Sequence, residues 1–453
     1  MHSPAKLVPA RRRTVTRAAR ALGSGAVVMA VGVVSALPGT GPAAAVGFHT
    51  DRVSVATAGT QANWSSLSSA ISADGRFVAF DSSASNLVAG DTNGVDDVFL
   101  RDRRTRTTTR ISTSYTGGAT DAASGDPAVS HDGRYVAFSS TASNLVRGDT
   151  NEFRDMFVRD TRTGVTERVS VSSTGAQADG DNYDSSISGD GRFVVFSTTA
   201  TNLAAAAGSG VSHVMIHDRR THTTELVSVS YRGSTTRGGG YWGSVSMTGR
   251  YVAFASWEST IVPDDTNNTL DVFVRDLVTG ITTRASMAEN GAQSVEFAGS
   301  PTVSADGRYV AFASADSTLV AGDTNGAHDV FVRDLWAGTT RRVSQTRAGE
   351  QADNVSDGPQ LTPDGRHILF TSAASNLVPG DINESWDIFV QDLRTRRSVL
   401  VSRASSGAPG DGDSWNGRIS ADASHVVYGS AATNLVRGDT NEHMDIFVTD
   451  RLG

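Results

Sequence analysis

No cysteine occurs among the 453 residues, and lysine occurs once, at Lys6. The first absence excludes a disulfide-stapled fold and a thiol nucleophile; the second leaves arginine to carry nearly all the positive charge. Only 19% of residues are charged and 38% are hydrophobic, a balance that excludes a disordered acidic tail and a multi-span membrane protein. Also missing are a Gly-x-Ser-x-Gly elbow, a His-Glu-x-x-His pair and a phosphate loop, the usual marks of serine hydrolases, zinc peptidases and nucleotide enzymes. No segment shows the 3.6-residue periodicity of an amphipathic helix.

What is present is a repeat. Asp-Gly-Arg and its relatives place an arginine at Arg76, Arg134, Arg192, Arg250, Arg308 and Arg366, each 58 residues after the last. Ser424 holds the same phase in a degenerate seventh copy. Seven units of 58 counted back from Gly453 begin at Phe48 and leave a leader of 47 residues.

The leader carries Lys6, Arg11, Arg12, Arg13, Arg17 and Arg20 and no acid, then an apolar run from Ala21 to Leu37 and the small residues Ala43-Ala44-Ala45. This is the layout of a cleavable secretory signal over residues 1–45, and Arg12-Arg13-Thr14-Val15 resembles a twin-arginine export signal. Without those six cations the net charge falls from −8 to −14, which argues against nucleic acid and anionic membrane surfaces as partners. A monomer that is secreted or held in the cell envelope, with no membrane insertion after cleavage, is the expectation for residues 46–453.

One unit reads as four short strands. Ser68-Ser69-Ala70-Ile71-Ser72 and Arg76-Phe77-Val78-Ala79-Phe80 flank an Asp74-Gly75 pair, the signal of a hairpin with a type I′ turn and positive φ at both central residues. A loop rich in small and amide residues follows, then Asp97–Asp102 and Thr107–Ser112. Apolar residues fill both parities of Phe77–Phe80, as sandwiching between neighbouring blades requires. The predicted fold is all-β, a seven-bladed β-propeller of four-stranded blades. Arg52-Val53-Ser54 is in phase with the outer-strand segments Arg110-Ile111-Ser112 and Arg168-Val169-Ser170, whereas the chain ends just after a third strand. An N-terminal strand is therefore expected to complete the last blade and close the ring.

Ser130-His131-Asp132-Gly133-Arg134-Tyr135-Val136-Ala137-Phe138 and its six counterparts resemble the WD40-like (PD40) repeats of the TolB propeller family, over residues 48–453. The resemblance implies an extracytoplasmic scaffold for binding partners, and no single chemistry. The length leaves no room for the additional α/β domain of TolB or for the hydrolase domain of propeller peptidases, and neither is expected.

The loop between second and third strands repeats Asp-x-Asn-x-x-x-Asp. The sets are Asp91, Asn93, Asp97; Asp149, Asn151, Asp155; Asp265, Asn267, Asp271; Asp323, Asn325, Asp329; Asp381, Asn383, Asp387; and Asp439, Asn441, Asp445. Two carboxylates and an amide oxygen within seven residues suit a hard cation, so calcium is the expected cofactor. Asx-turns that cap strands without metal are the competing explanation. The third unit has Ala207, Ser209 and His213 instead, and this joint loss is read as favouring a shared ion. On the same face, Trp64, Tyr183, Trp242, Phe297 and Trp415 lie among acidic residues and are candidates for a ligand surface. The reading of the whole is a non-catalytic propeller binding a protein or glycan. The alternative is a secreted hydrolase or lyase at the channel mouth, using Asp181, Asp184 and His217.

Overall fold

The computed structural model describes residues 47–205, 210–233 and 239–452, so the secretory signal read in residues 1–45 lies outside the described residues. The strands form seven antiparallel four-stranded sheets. In blade one, successive strands Ser66–Ile71, Phe77–Ser82, Asp97–Asp102 and Thr107–Arg110 lie side by side from the central channel outward. Blades two to six repeat this order 58 residues apart. Among the described residues no helix is long and apolar enough to cross a membrane.

The double-sided apolar pattern of the second strand has the predicted cause. Val78, Ala79 and Phe80 are all fully buried, and so are Val98 and Phe99 on the third strand. The core is divided into seven clusters, each at a junction between neighbouring blades; one joins Val78 and Phe80 to Val427, Ile446 and Val448 of blade seven. Phe80 stacks on Phe99 at 5.7 Å; the pair recurs in blades two, four, five and six, is Tyr428 with Phe447 in blade seven, and is lost in blade three, where Phe196 faces Met215. Each such side chain contributes roughly 1.5–3 kcal/mol by leaving water.

The Asp-Gly hairpin forms, but not as a type I′ turn. Only Gly75 has positive φ, at 70°. Asp74 instead accepts hydrogen bonds from Ser72 Oγ and the Arg76 amide, and Ser72 Oγ accepts the Phe77 amide. The side-chain bonds stabilise a longer loop that the two-residue turn would preclude. Gly75 is needed twice over, because a Cβ there would also meet the His425 ring of the adjacent blade. Arg76 then pairs with Asp102 at 2.6 Å, and the homologous Arg134 holds the Asp160 carboxyl down at about 2.

Ring closure is as the phase of the termini predicts. Gly47–Arg52 is the outermost strand of blade seven, with Gly47 opposite Leu452 and Arg52 opposite Phe447. Blade seven has Ser424 where the other blades carry the turn arginine, and its Asp450 is held instead by His425 and by Arg103 of blade one, both contacts crossing or flanking the seam. Arg52 Nη1 donates to Asp439 and Asp445, each at 2.9 Å. Replacing Arg52 by Leu leaves two buried carboxylates without a cation and is expected to cost about 3–5 kcal/mol. Urea unfolding should show this as a lower midpoint, and an unchanged midpoint would mean that the seam does not depend on the ion pair.

Candidate functional site

The repeated acidic loops emerge between second and third strands, on the face that also carries the connections from one blade to the next. Five of the six sets share one geometry. Arg110 Nη1 reaches Asp91 and Asp97, Arg168 reaches Asp149 and Asp155, Arg284 reaches Asp265 and Asp271, and Arg342 reaches Asp323 and Asp329. Arg52 does the same for Asp439 and Asp445, and all ten distances lie between 2.7 and 3.4 Å. The second aspartate of each set also accepts a bond from an outer-strand serine, such as Ser112 or Ser170. The asparagines tie the loop to the next connection: Asn93 donates to the Thr120 carbonyl, Asn151 to Ala178, Asn267 to Ser294, Asn325 to Ala352, Asn383 to Gly410 and Asn441 to Ala62 across the seam. Burial raises the first aspartates, Asp149 and Asp265 among them, and the arginine charge works in the opposite direction.

The chain thus brings its own cation to five sets. Sequence reasoning used these arginines only to align outer strands, yet the signal was there. Blade three lacks the acids and also carries Leu226 in place of the arginine, so the joint loss follows from removing an ion pair as a unit. Ala207 and Ser209 lie outside the described residues. His213 is buried at the phase of the second aspartate.

A second assembly lies on the channel axis. Each innermost strand slips register near its start: Gly125 faces Ser139 but Ala128 faces Ala137, so two residues oppose one. In six blades the extra residue has positive φ: Asp126 at 52°, Asp184 at 57°, Trp242 at 53°, Ser300 at 52°, Gly358 at 62° and Asn416 at 54°. All six line a channel with a volume of about 580 Å³. A left-handed tryptophan or aspartate costs on the order of 1–3 kcal/mol, and such strain is characteristically retained where a side chain must be aimed at a ligand.

Blade one departs from the others. Asp81 accepts the amides of Leu67 and Ser68 within its own bulge and the amide of Asp126 in the next. Its burial pushes the carboxyl up to about 6. Asp184 is also raised, by enclosure in the channel and then by the charge of Asp126. Arg418 lines the same channel from blade seven, water-accessible yet enclosed by protein, which lowers its pKa.

Of the predicted aromatic surface, Trp242 lines the channel and meets Phe297 edge-on at 6.0 Å. Tyr183 and Trp415 lie on innermost strands next to the bulge, and Arg154 approaches the Tyr183 ring at 6.0 Å. Trp64 is exposed and packs on His443 at 4.6 Å over the seam. His217 is not brought to the channel: it is buried on the third strand, bonded through Nδ1 to Thr224, and pushed down to about 4 by burial. Among the described residues no three His, Asp or Glu side chains converge as a metal centre.

No protein-family model matches the chain, and no curated protein does. Among solved structures, an oligogalacturonate lyase in complex with manganese aligns over 90% of this chain and 94% of its own, at 11% identity and a TM-score of 0.54. The β-propeller domain of the Trilobed protease from Pyrococcus furiosus aligns over 86% and 98%, at 11% identity and a TM-score of 0.52. TolB from Acinetobacter baumannii aligns over 67% of this chain at 16% identity and a TM-score of 0.39, and the chain spans 59% of its length. What is shared at these identities is the fold, a β-propeller.

Asp81 yields a pH prediction. Its folded pKa lies above the ordinary 3.8, so its contribution to stability is complete below that value and is lost as the pH rises through about 6. The melting temperature of wild type should therefore fall between pH 4 and pH 7 relative to that of Asp81→Asn. Parallel melting curves for the two proteins across this range would refute the assignment.

Proposed function

We propose that this protein is an extracytoplasmic, non-catalytic propeller scaffold that binds a protein or glycan ligand at the channel mouth on the acidic face. The observation that carries the reading is the bulge ring. On a scaffold that otherwise repeats, six channel-lining positions hold Asp, Asp, Trp, Ser, Gly and Asn in a backbone conformation that favours glycine. Variation concentrated at one strained ring is what a ligand with its own asymmetry requires. Asp126 and Asp184 outnumber Arg418 among the charged side chains that line the channel, and Trp242 offers a ring face, so the site favours a ligand segment that carries positive charge. Kinship with TolB-like propellers rests on the repeated Ser-x-Asp-Gly-Arg motif, and export rests on residues 1–45.

A second reading, a lyase or hydrolase in the channel, draws on the enclosed Asp184 beside Asp126 and on the fold shared with an oligogalacturonate lyase. Turnover of a polysaccharide panel that disappears in Asp184→Asn would favour it.

For the binding reading, peptides of graded charge should bind in order of positive charge at low salt. Affinity should weaken in 0.5 M salt, and Trp242→Ala or the pair Asp126→Asn with Asp184→Asn should lower it about tenfold. Equal binding of acidic and basic peptides by fluorescence anisotropy would refute the charge argument.

A further inference from the structure

Blade six breaks the ion-pair rule from one side only. It keeps Asp381, Asn383 and Asp387, but Leu400 stands where the other sets have their arginine, opposite Phe389 as Arg110 stands opposite Phe99. Leu400 is buried in the core between blades five and six. The glutamine that bonds the guanidinium in blades two, four and five, through Gln177, Gln293 and Gln351, is Pro409 here.

Asp387 is fully buried, and its Oδ1 accepts a bond from Ser402. Its Oδ2 is buried with no hydrogen-bond partner. In the five other sets this same oxygen receives the arginine Nη1, at 2.9–3.4 Å. The orphaned oxygen therefore faces the position at which the fold places a positive charge five times over. Arg403, three residues beyond Leu400, is near enough for its charge to act on both carboxylates, but its guanidinium lies over the Phe48 ring at 5.1 Å and makes no ion pair with either. Asp353 adds negative charge near Asp381, and Asp413 near Asp387.

The geometry points to a divalent cation site in blade six, in which calcium bridges Asp381 and Asp387 at the place of the missing guanidinium. The donors are all oxygen, and loop carbonyls and water complete the shell that a flexible loop can offer calcium. Two protein carboxylates place the affinity in the range of extracellular modules, about 10⁻⁴–10⁻³ M. This inference is independent of any ligand at the channel, and it confines calcium to one of the six sets predicted to hold it.

Calcium chloride titrated into chelator-treated protein provides the test. Calorimetry should find one calcium per chain, and 5 mM calcium should raise the melting temperature by about 1–3 °C. Leu400→Arg, which restores the guanidinium, should abolish both effects. Asp387→Asn, with an unchanged circular dichroism spectrum, should abolish binding without adding a cation. No binding by wild type at 5 mM, or undiminished binding by either variant, would overturn the proposal.

Discussion

The constraint on which the structure depends is that the second and third strands of each blade are apolar on both faces. Val78 to Phe80 and Val98 to Phe99 leave no side of the sheet for water, so a blade alone cannot satisfy its own surface. Seven blades satisfy one another only in a ring, and a ring of this chain closes only when Gly47–Arg52 completes the last blade. The core is accordingly not one body but seven clusters at seven junctions, each contributed by two neighbours. Without cysteine, closure rests on backbone pairing and on polar contacts such as Arg103 with Asp450.

Charge balance in the loops follows from the same packing. Placing Asp97 or Asp445 at the start of a fully covered strand buries a carboxylate, and a buried carboxylate needs an opposite charge and hydrogen bonds. The outer-strand arginine and serine supply them within the blade; in blade seven they come from Arg52 and Ser54, so the same solution also fastens the termini. Blade three removes the arginine together with the acids. Blade six keeps the acids but loses the arginine, and with it the partner that Asp387 Oδ2 has in the other sets.

The channel shows how a repeated scaffold acquires one specific surface. The bulge itself is architectural, present as a register slip in every innermost strand. Its occupant is not: aspartate, tryptophan, serine, glycine and asparagine share the same left-handed backbone. The acidic side, formed by Asp126 and Asp184 of blades two and three, continues into Trp242 of blade four, so the ring has a polarity although the scaffold has nearly none.

Much of this was legible in the chain. The 58-residue period, the apolar runs of both parities and the phase of Arg52-Val53-Ser54 depend only on which residue types recur, and they determined blade number, strand number and closure. The acidic sets were legible as sets, but their partners were not, because Asp91 and Arg110 lie 19 residues apart on different strands and only the sheet brings them within 3.3 Å. The turn type escaped because Ser72 and Asp74 side chains replace backbone geometry that the Asp-Gly pair alone suggests. The channel ring was legible only in part: Asp184 and Trp242 were singled out and Asp126 was not, because a bulge leaves no mark on residue type and the three share a position, not a chemistry. Sequence by itself decided the architecture, since burial periodicity is a local property of the chain. Tertiary structure alone decided which carboxylates are already paired and which side chains face the channel, since both depend on what seven sheets bring together across space.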